Sequence, residues 1–284
     1  MRETCSGDLQ LRTREGGQAR VVIDTDLDVV VLTCGDLGAE VAERLRAVPG
    51  VSHVSLVIAP YRQPRRTLTG KFRHVWRMDG PVGLARILGA RLGLQAASEE
   101  VCPWSLDPGI TQLHVEDFDA PEAIAQIRSL GADLGVVAGT YILRESVFAL
   151  PRLGSINLHS GKAPEYRGAA PGFWELYNGD PEVGITIHRV TTRLDAGHIL
   201  RQETFPLDPA PVGDPIAYLE RYRREILRPQ GVRLMAEAVA SLVHGTVVER
   251  PQDPSKARMY RTPDRAAIRE LRRRVAVRRQ LRAS

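Results

Sequence analysis

The run from Asp28 to Ile58 constrains the fold of this chain more than any other part of it. Asp28 to Thr33 is strongly apolar, Cys34-Gly35-Asp36-Leu37-Gly38 turns, and Leu37, Val41 and Leu45 then repeat every four residues until Pro49-Gly50 stops the pattern. Val54 to Ile58 is apolar again. Strand, glycine turn, one-sided helix and strand form the opening unit of a parallel sheet covered by helices. The turn invites a dinucleotide reading, but Gly35-x-x-Gly38 lacks the third glycine of that fingerprint, and no acidic residue closes the strand at Ile58-Ala59-Pro60. A tight turn into a helix bordering a substrate cleft fits better.

The same alternation continues. Asp107 to Val115 returns toward the sheet, and Asp119-Ala120-Pro121-Glu122 starts a helix bearing Ile124, Ile127 and Leu130. Ala132 to Ala138 then reads as a central strand, and the loop Gly139-Thr140-Tyr141-Ile142-Leu143 falls at its carboxyl end, where α/β sheets hold ligands. Gln202 to Leu207 suggests one more strand. The fold class expected is therefore α/β, a Rossmann-like, mostly parallel sheet with a helical C-terminal appendage. With 284 residues, 43% of them hydrophobic, the chain can bury such a core. Residues 1–27 read as an irregular extension, 28–211 as the main α/β domain with a basic insertion at 60–97, and 212–284 as the appendage with an Arg-rich, solvated tail. A helix break is expected before Pro229, because the residue preceding a proline is pushed away from helix.

Ser155 to Gly197 carries the chemistry. Ser155-Ile156-Asn157-Leu158 is the end of a buried strand, after which a polar loop runs His159-Ser160-Gly161-Lys162-Ala163-Pro164-Glu165-Tyr166-Arg167-Gly168. Residues two apart share a strand face, so Asn157 and His159 can enter one pocket. Phe173, Trp174, Leu176 and Tyr177 back a short helix that Asn178-Gly179 closes, and Gly184-Ile185-Thr186-Ile187-His188-Arg189-Val190 alternates as a strand before the turn at Asp195-Ala196-Gly197. An amide, an imidazole and a carboxylate thus stand on neighbouring strand ends.

In this order, Asn-x-His, Pro-x-Tyr-Arg-Gly-x-x-Pro, Asn-Gly, Gly-x-Thr-x-His and Asp-x-Gly closely resemble the folate-dependent formyltransferases. The similarity covers about Ala132 to Leu200, with a weaker echo from Asp28 to Ile58. It implies a formyl donor, 10-formyltetrahydrofolate, whose pterin ring is received by the loop Gly139, Thr140, Tyr141, Ile142 and Leu143. It implies Asn157, His159 and Asp195 as catalytic residues, with Tyr166, Arg167 and His188 supporting them, and no metal. Moving a formyl group to an amine builds negative charge on the carbonyl oxygen and positive charge on the entering nitrogen. Asn157 and His159 are placed to donate to that oxygen; Asp195 is the acceptor for the amine proton and a neighbour that would hold His159 cationic. One departure concerns the loop: relatives carry His-x-Ser-Leu-Leu-Pro, whereas here Gly161 takes the serine position and Lys162 replaces an apolar residue, which bears on the acceptor pocket.

The acceptor expected is a primary amine of a small molecule, an amino sugar or specialised metabolite. Initiator tRNA is disfavoured, because the tRNA enzymes of the family carry a C-terminal barrel domain and the stretch after Leu207 reads as helical. Hydrolysis of formyltetrahydrofolate, or folate or polyanion binding without catalysis, are the alternatives. The net charge of +5 is concentrated in Arg62 to Arg91 and Arg258 to Arg282, which suits an anionic surface but brings no nucleic-acid motif. No apolar run approaches the roughly 20 residues of a membrane span. With the N-terminus lacking a signal-peptide pattern and the cysteines unpaired by spacing, a cytoplasmic location is expected.

Overall fold

The computed structural model of the chain describes residues 11–13, 19–21, 26–61 and 106–284. The basic insertion expected at 60–97 lies, from residue 62 onward, outside the described residues. Near the start, β1 (Leu11–Thr13) and β2 (Ala19–Val21) pair antiparallel.

Seven strands form the main sheet. In chain order they are β3 (Leu27–Thr33), β4 (Val51–Ile58), β5 (Ile110–His114), β6 (Leu134–Ala138), β7 (Ser155–His159), β9 (Glu182–Arg189) and β10 (Ile199–Pro206). Their spatial order is β10-β9-β7-β6-β3-β4-β5. The run from β7 to β5 is parallel, whereas β9 lies antiparallel to both β7 and β10. A mostly parallel sheet with helices is thus the architecture.

Alternate residues of β3 explain its continuous apolar run. Val29 and Val31 face one core with α1 (Asp36–Arg46), while Val30 and Leu32 face the other with α2 (Pro121–Ser129) and the short α3 (Glu145–Phe148). A strand covered on both faces has no side left for polar residues. The turn into α1 shows what its second glycine is for: a Cβ on Gly38 would stand 2.2 Å from the Thr33 Cβ. That glycine lets the helix press on the strand, while Thr33 Oγ1 donates within hydrogen-bond reach of the Gly35 and Ala138 carbonyls, at 2.8 Å from each.

Pro229 does not break the helical stretch after the sheet. α5 (Pro215–Tyr222) runs into a π turn (Arg223–Leu227) and on into α6 (Arg228–Val243). The Arg228 N–H reaches five residues back to the Arg223 carbonyl. In a regular helix a proline ring collides with the carbonyl four residues earlier; widening the preceding turn removes the collision and keeps the helix.

The arginine-rich tail is solvated only in part: Arg265, Arg269, Arg272, Arg273 and Arg282 are exposed, but Arg274, Arg278 and Arg279 are half-buried. α7 (Arg265–Ala283) buries Leu271 and Val275 and packs on α5 and on α4 (Phe173–Asn178). Arg278 donates to the Leu176 and Tyr177 carbonyls at 2.8 and 3.1 Å, and the Arg274 guanidinium lies 4.1 Å from the centre of the Tyr177 ring. Carbonyls left without partners at a helix C-terminus attract cations, which is what the run of arginines supplies. Before α7, an arm from Val247 runs back along the sheet edge, and its β11 (Met259–Tyr260) pairs in parallel with β8 (Arg167–Gly168).

Candidate active site

The carboxyl ends of β6 and β7 and the end of β9 border a cleft of about 1110 Å³. Its walls include Gly139 to Leu143, Asn157, His159, His188 and Asp195, together with Met259 to Thr262 from the arm. Asn157 and His159, and Asp195 from some 36 residues further on, therefore face one cavity. The Gly139 to Leu143 loop faces it too.

Strand pairing sets the geometry. Asn157 sits opposite His188 in the antiparallel β7–β9 pair, and its Nδ2 lies 3.2 Å from His188 Nε2. His188 Nδ1 donates to the Arg189 carbonyl at 2.8 Å. Its Nε2 is thereby left between the Asn157 amide and Asp195 Oδ1, 3.4 Å away. It accepts from the first when neutral and donates to the second when protonated. His159 Nε2 donates to the Tyr166 carbonyl at 2.6 Å, and its Nδ1 lies 3.7 Å from Asp195 Oδ2.

Asp195 takes a left-handed backbone conformation, φ +50, which non-glycine residues seldom adopt and which structures hold at functional turns. Its Oδ2 accepts from the Gly168 N–H at 2.8 Å. Burial alone would raise its carboxyl. The hydrogen bond from His188, the adjacent His159 and the Gly168 N–H outweigh that and keep it below the usual carboxylate range. His159 shows the opposite balance. Burial pushes the imidazole below its ordinary value, and Asp195 and the Tyr166 carbonyl offset this only in part. Burial thus runs against the expected carboxylate-held imidazolium: desolvation outweighs Asp195 and favours the neutral form of His159.

The flanking residues brace the loops. Tyr166 donates its hydroxyl to Asp180, accepts from Asn178 Nδ2 at 2.9 Å and stacks on Tyr260 with ring centres 5.1 Å apart. Arg167 donates to Gln252 Oε1 through Nη2 and Nε, at 2.6 and 3.1 Å. On the other wall, Tyr141 donates its hydroxyl to Asp117 Oδ1, at 2.8 Å, and accepts the Phe118 N–H at 2.8 Å. Ile142 is left 72% exposed in the cleft.

Both loop departures have a structural reading. Lys162 turns to Glu182 on β9, with Nζ 2.7 Å from Oε1, and takes no part in lining the cleft. Gly161 makes room for the histidine: a Cβ there would stand 2.4 Å from His159 Nε2 and 2.5 Å from the Tyr166 carbonyl oxygen.

Two residues near the site gave no signal in the sequence. Gln252 stands in a proline-rich arm without periodicity, and Glu175 is hidden in the apolar face of α4. Glu175 is buried with Oε1 unpartnered, and burial pushes its carboxyl up to about 7. It shares a small hollow with His159, Gly161 and Tyr166. Among the described residues no three His, Cys, Asp or Glu side chains stand together as a metal site would need, and no helix is long and apolar enough to cross a membrane.

Residues 78–219, half of the chain, match the model of the formyl transferase family. Over 184 residues the chain is 34% identical to a methionyl-tRNA formyltransferase of Roseiflexus sp. (strain RS-1), covering 64% of this chain and 52% of that protein. It spans about half the length of the curated relatives it matches. Among solved structures, a sugar N-formyltransferase from Shewanella sp FDAARGOS_354 superposes with a TM-score of 0.52 at 16% identity, covering 88% of this chain and 87% of that one. Glycinamide ribonucleotide transformylase 1 from Symbiobacterium toebii gives 0.50 at 20% identity, covering 80% and 94%. At such identities the two structures speak for the fold alone.

Proposed function

This chain belongs to the formyl transferase family, and from that premise we propose that it moves a formyl group from 10-formyltetrahydrofolate to a primary amine of a small molecule. One observation carries the reading: an amide, two imidazoles and an ionised carboxylate converge in a cleft whose other wall is the Gly139 to Leu143 loop.

In this reading the pterin end of the donor lies along that loop, against Ile142, and the formyl carbon faces Asn157 and Asp195. The Asn157 amide and the His159 N–H donate to the carbonyl oxygen as the amine attacks, with the substrate oxygen replacing the Tyr166 carbonyl as the partner of His159. Donors aimed at a developing oxyanion are each worth about 10² to 10³ in rate. As the new C–N bond forms, the entering nitrogen becomes acidic and its proton passes to Asp195, directly or through water. Asp195 returns the proton to N10 as the old C–N bond breaks. Protons and electrons balance, and the carboxylate is regenerated.

Support for a small acceptor comes from the arm, which walls the cleft beside Asp195 with Met259 to Thr262. Arg193 and Arg261 line the same side and are exposed, which suits an acceptor bearing an anionic group. The second reading is a tRNA acceptor, favoured by the names of the curated relatives.

The test is incubation of the protein with 10-formyltetrahydrofolate and a panel of acceptors: nucleotide-linked amino sugars, glycinamide ribonucleotide, methionyl initiator tRNA, and water alone. Formyl transfer is followed by mass. Formylation of a small amine supports the proposal; transfer to the tRNA alone, or release of formate alone, replaces it. Turnover that survives both Asn157→Ala and Asp195→Asn overturns the mechanism.

A further inference from the structure

The Asp195 turn is held from a place the catalytic motif does not include. Gln252 lies on the arm, 57 residues beyond Asp195, and all the hydrogen-bonding groups of its side chain are engaged. Its Nε2 donates to the Asp195 carbonyl at 2.9 Å and to the Gly197 carbonyl at 2.7 Å. Its Oε1 accepts both N–H groups offered by Arg167. The orientation of the amide is forced, since carbonyls can only accept and a guanidinium can only donate.

We propose that Gln252 is a positioning residue for formyl transfer, an amide buckle that ties the Asp195 turn to the strand bearing Arg167 and Gly168 and so fixes the carboxylate against the reacting nitrogen. The inference rests on the reading of Asp195 as proton acceptor. Three features carry it. Asp195 occupies a backbone conformation that needs external support, and Gln252 bonds the carbonyls of Asp195 and Gly197, the residues on either side of Ala196. The Gly168 N–H that holds the Asp195 carboxylate is adjacent to the Arg167 that Gln252 also holds, so one side chain controls both partners of that contact. The arm itself is fixed independently of this side chain. Arg250 exchanges backbone hydrogen bonds with Ile199 at 2.8 and 2.9 Å, and the Arg258 and Tyr260 carbonyls accept from Arg167 and Ala169 at 3.0 Å. Gln252 is therefore not needed to dock the arm; its four bonds are spent on the site.

The test uses the full chain, 10-formyltetrahydrofolate, and the panel acceptor with highest turnover. Gln252→Met keeps the shape and loses every bond; Gln252→Glu keeps the acceptors for Arg167 and loses the donors to the Asp195 turn. Both are expected to lower kcat by roughly 10- to 100-fold, the scale of a small misplacement of a reacting group, with KM for the donor changed less than about threefold. In Gln252→Met the acid limb of the kcat profile moves to higher pH, because a loosened Asp195 loses the contacts that keep it ionised; a change in stability alone does not move that limb. The titration of His159 followed by NMR reads the same contact without an acceptor: its pKa falls in Gln252→Met, as it does in Asp195→Asn. Full kcat and an unmoved His159 titration in Gln252→Glu, beside an inactive Asp195→Asn, overturn the proposal and leave the mechanism standing. An active Asp195→Asn overturns the mechanism, and the buckle with it. Should Gln252→Met fail to fold, Gln252→Glu alone decides.

Discussion

The two sides of the main sheet are built on different terms. From β6 through β3 and β4 the strands run parallel, and their interior is almost wholly aliphatic; Leu27, Leu32, Leu56 and Leu134 are fully buried. Across β7, β9 and the turn beyond, the same sheet buries Ser155, His159, Thr186, His188 and Asp195, and each of these has a partner. Of the eight buried polar residues described, six lie between residues 155 and 195. Burying a polar group unpaired is costly, and five of these six are answered; Glu175, with one oxygen left without a partner, is the exception. The parallel half is an aliphatic core, and the antiparallel half holds the polar cluster that borders the cleft.

The contrast is breakable by substitution. The largest effects should separate cleanly: Asp195→Asn lowers kcat by about 10² to 10⁴ with little change in unfolding midpoint, whereas Leu134→Ala costs about 2 to 5 kcal/mol of stability with the specific activity of the folded fraction unchanged. Denaturant titration and single-turnover kinetics on the two variants check this, and the comparison fails if either variant shows both losses in full.

Glu175 sharpens it next, as the one described buried carboxylate of this half with an unanswered oxygen. Its folded carboxyl stays protonated up to about pH 7 against an ordinary 4.5, so the folded state binds the extra proton between those values. Stability is therefore lost as pH rises through that window, and the cost is complete above it. Glu175→Gln is expected to raise the unfolding free energy by up to about 3 kcal/mol at pH 8 and by little at pH 5, measured by urea titration at the two pH values.

Gly161→Ala should act on the reaction centre through space alone. The added carbon meets both His159 Nε2 and the Tyr166 carbonyl, so their hydrogen bond opens and formyl transfer falls by about 10- to 100-fold, read from kcat with the donor KM as control. The smallest effect belongs to neither half. Arg272→Ala removes an exposed pair with Asp214 and should cost no more than about 1 kcal/mol.

Much of this was legible in the chain. Apolar runs at 28–33, 54–58 and 132–138 mark strands buried on both faces, and glycines mark the turns between them. The ordered motif from Asn157 to Gly197 marks the amide, the imidazole and the carboxylate that line one cleft. What stayed hidden depends on burial and distance. The protonation of His159 is decided by desolvation, which no local pattern records. Pro229 carries the same sequence signal whether a helix ends or widens. Arg278 of α7 reads as solvated because the carbonyls it caps lie about 100 residues earlier, at the end of α4. Gln252 is a lone polar residue among prolines until the fold lays it across Arg167 and Asp195.

That reach across the chain has a consequence for synthesis. The last strand of the sheet ends at Pro206, so a ribosome can expose every strand before Gln252 or Tyr260 has left the exit tunnel. A nascent chain of that length carries Asn157, His159 and Asp195 but not the arm; on the proposed reading, formyl transfer then waits for the later translated residues and not for completion of the sheet.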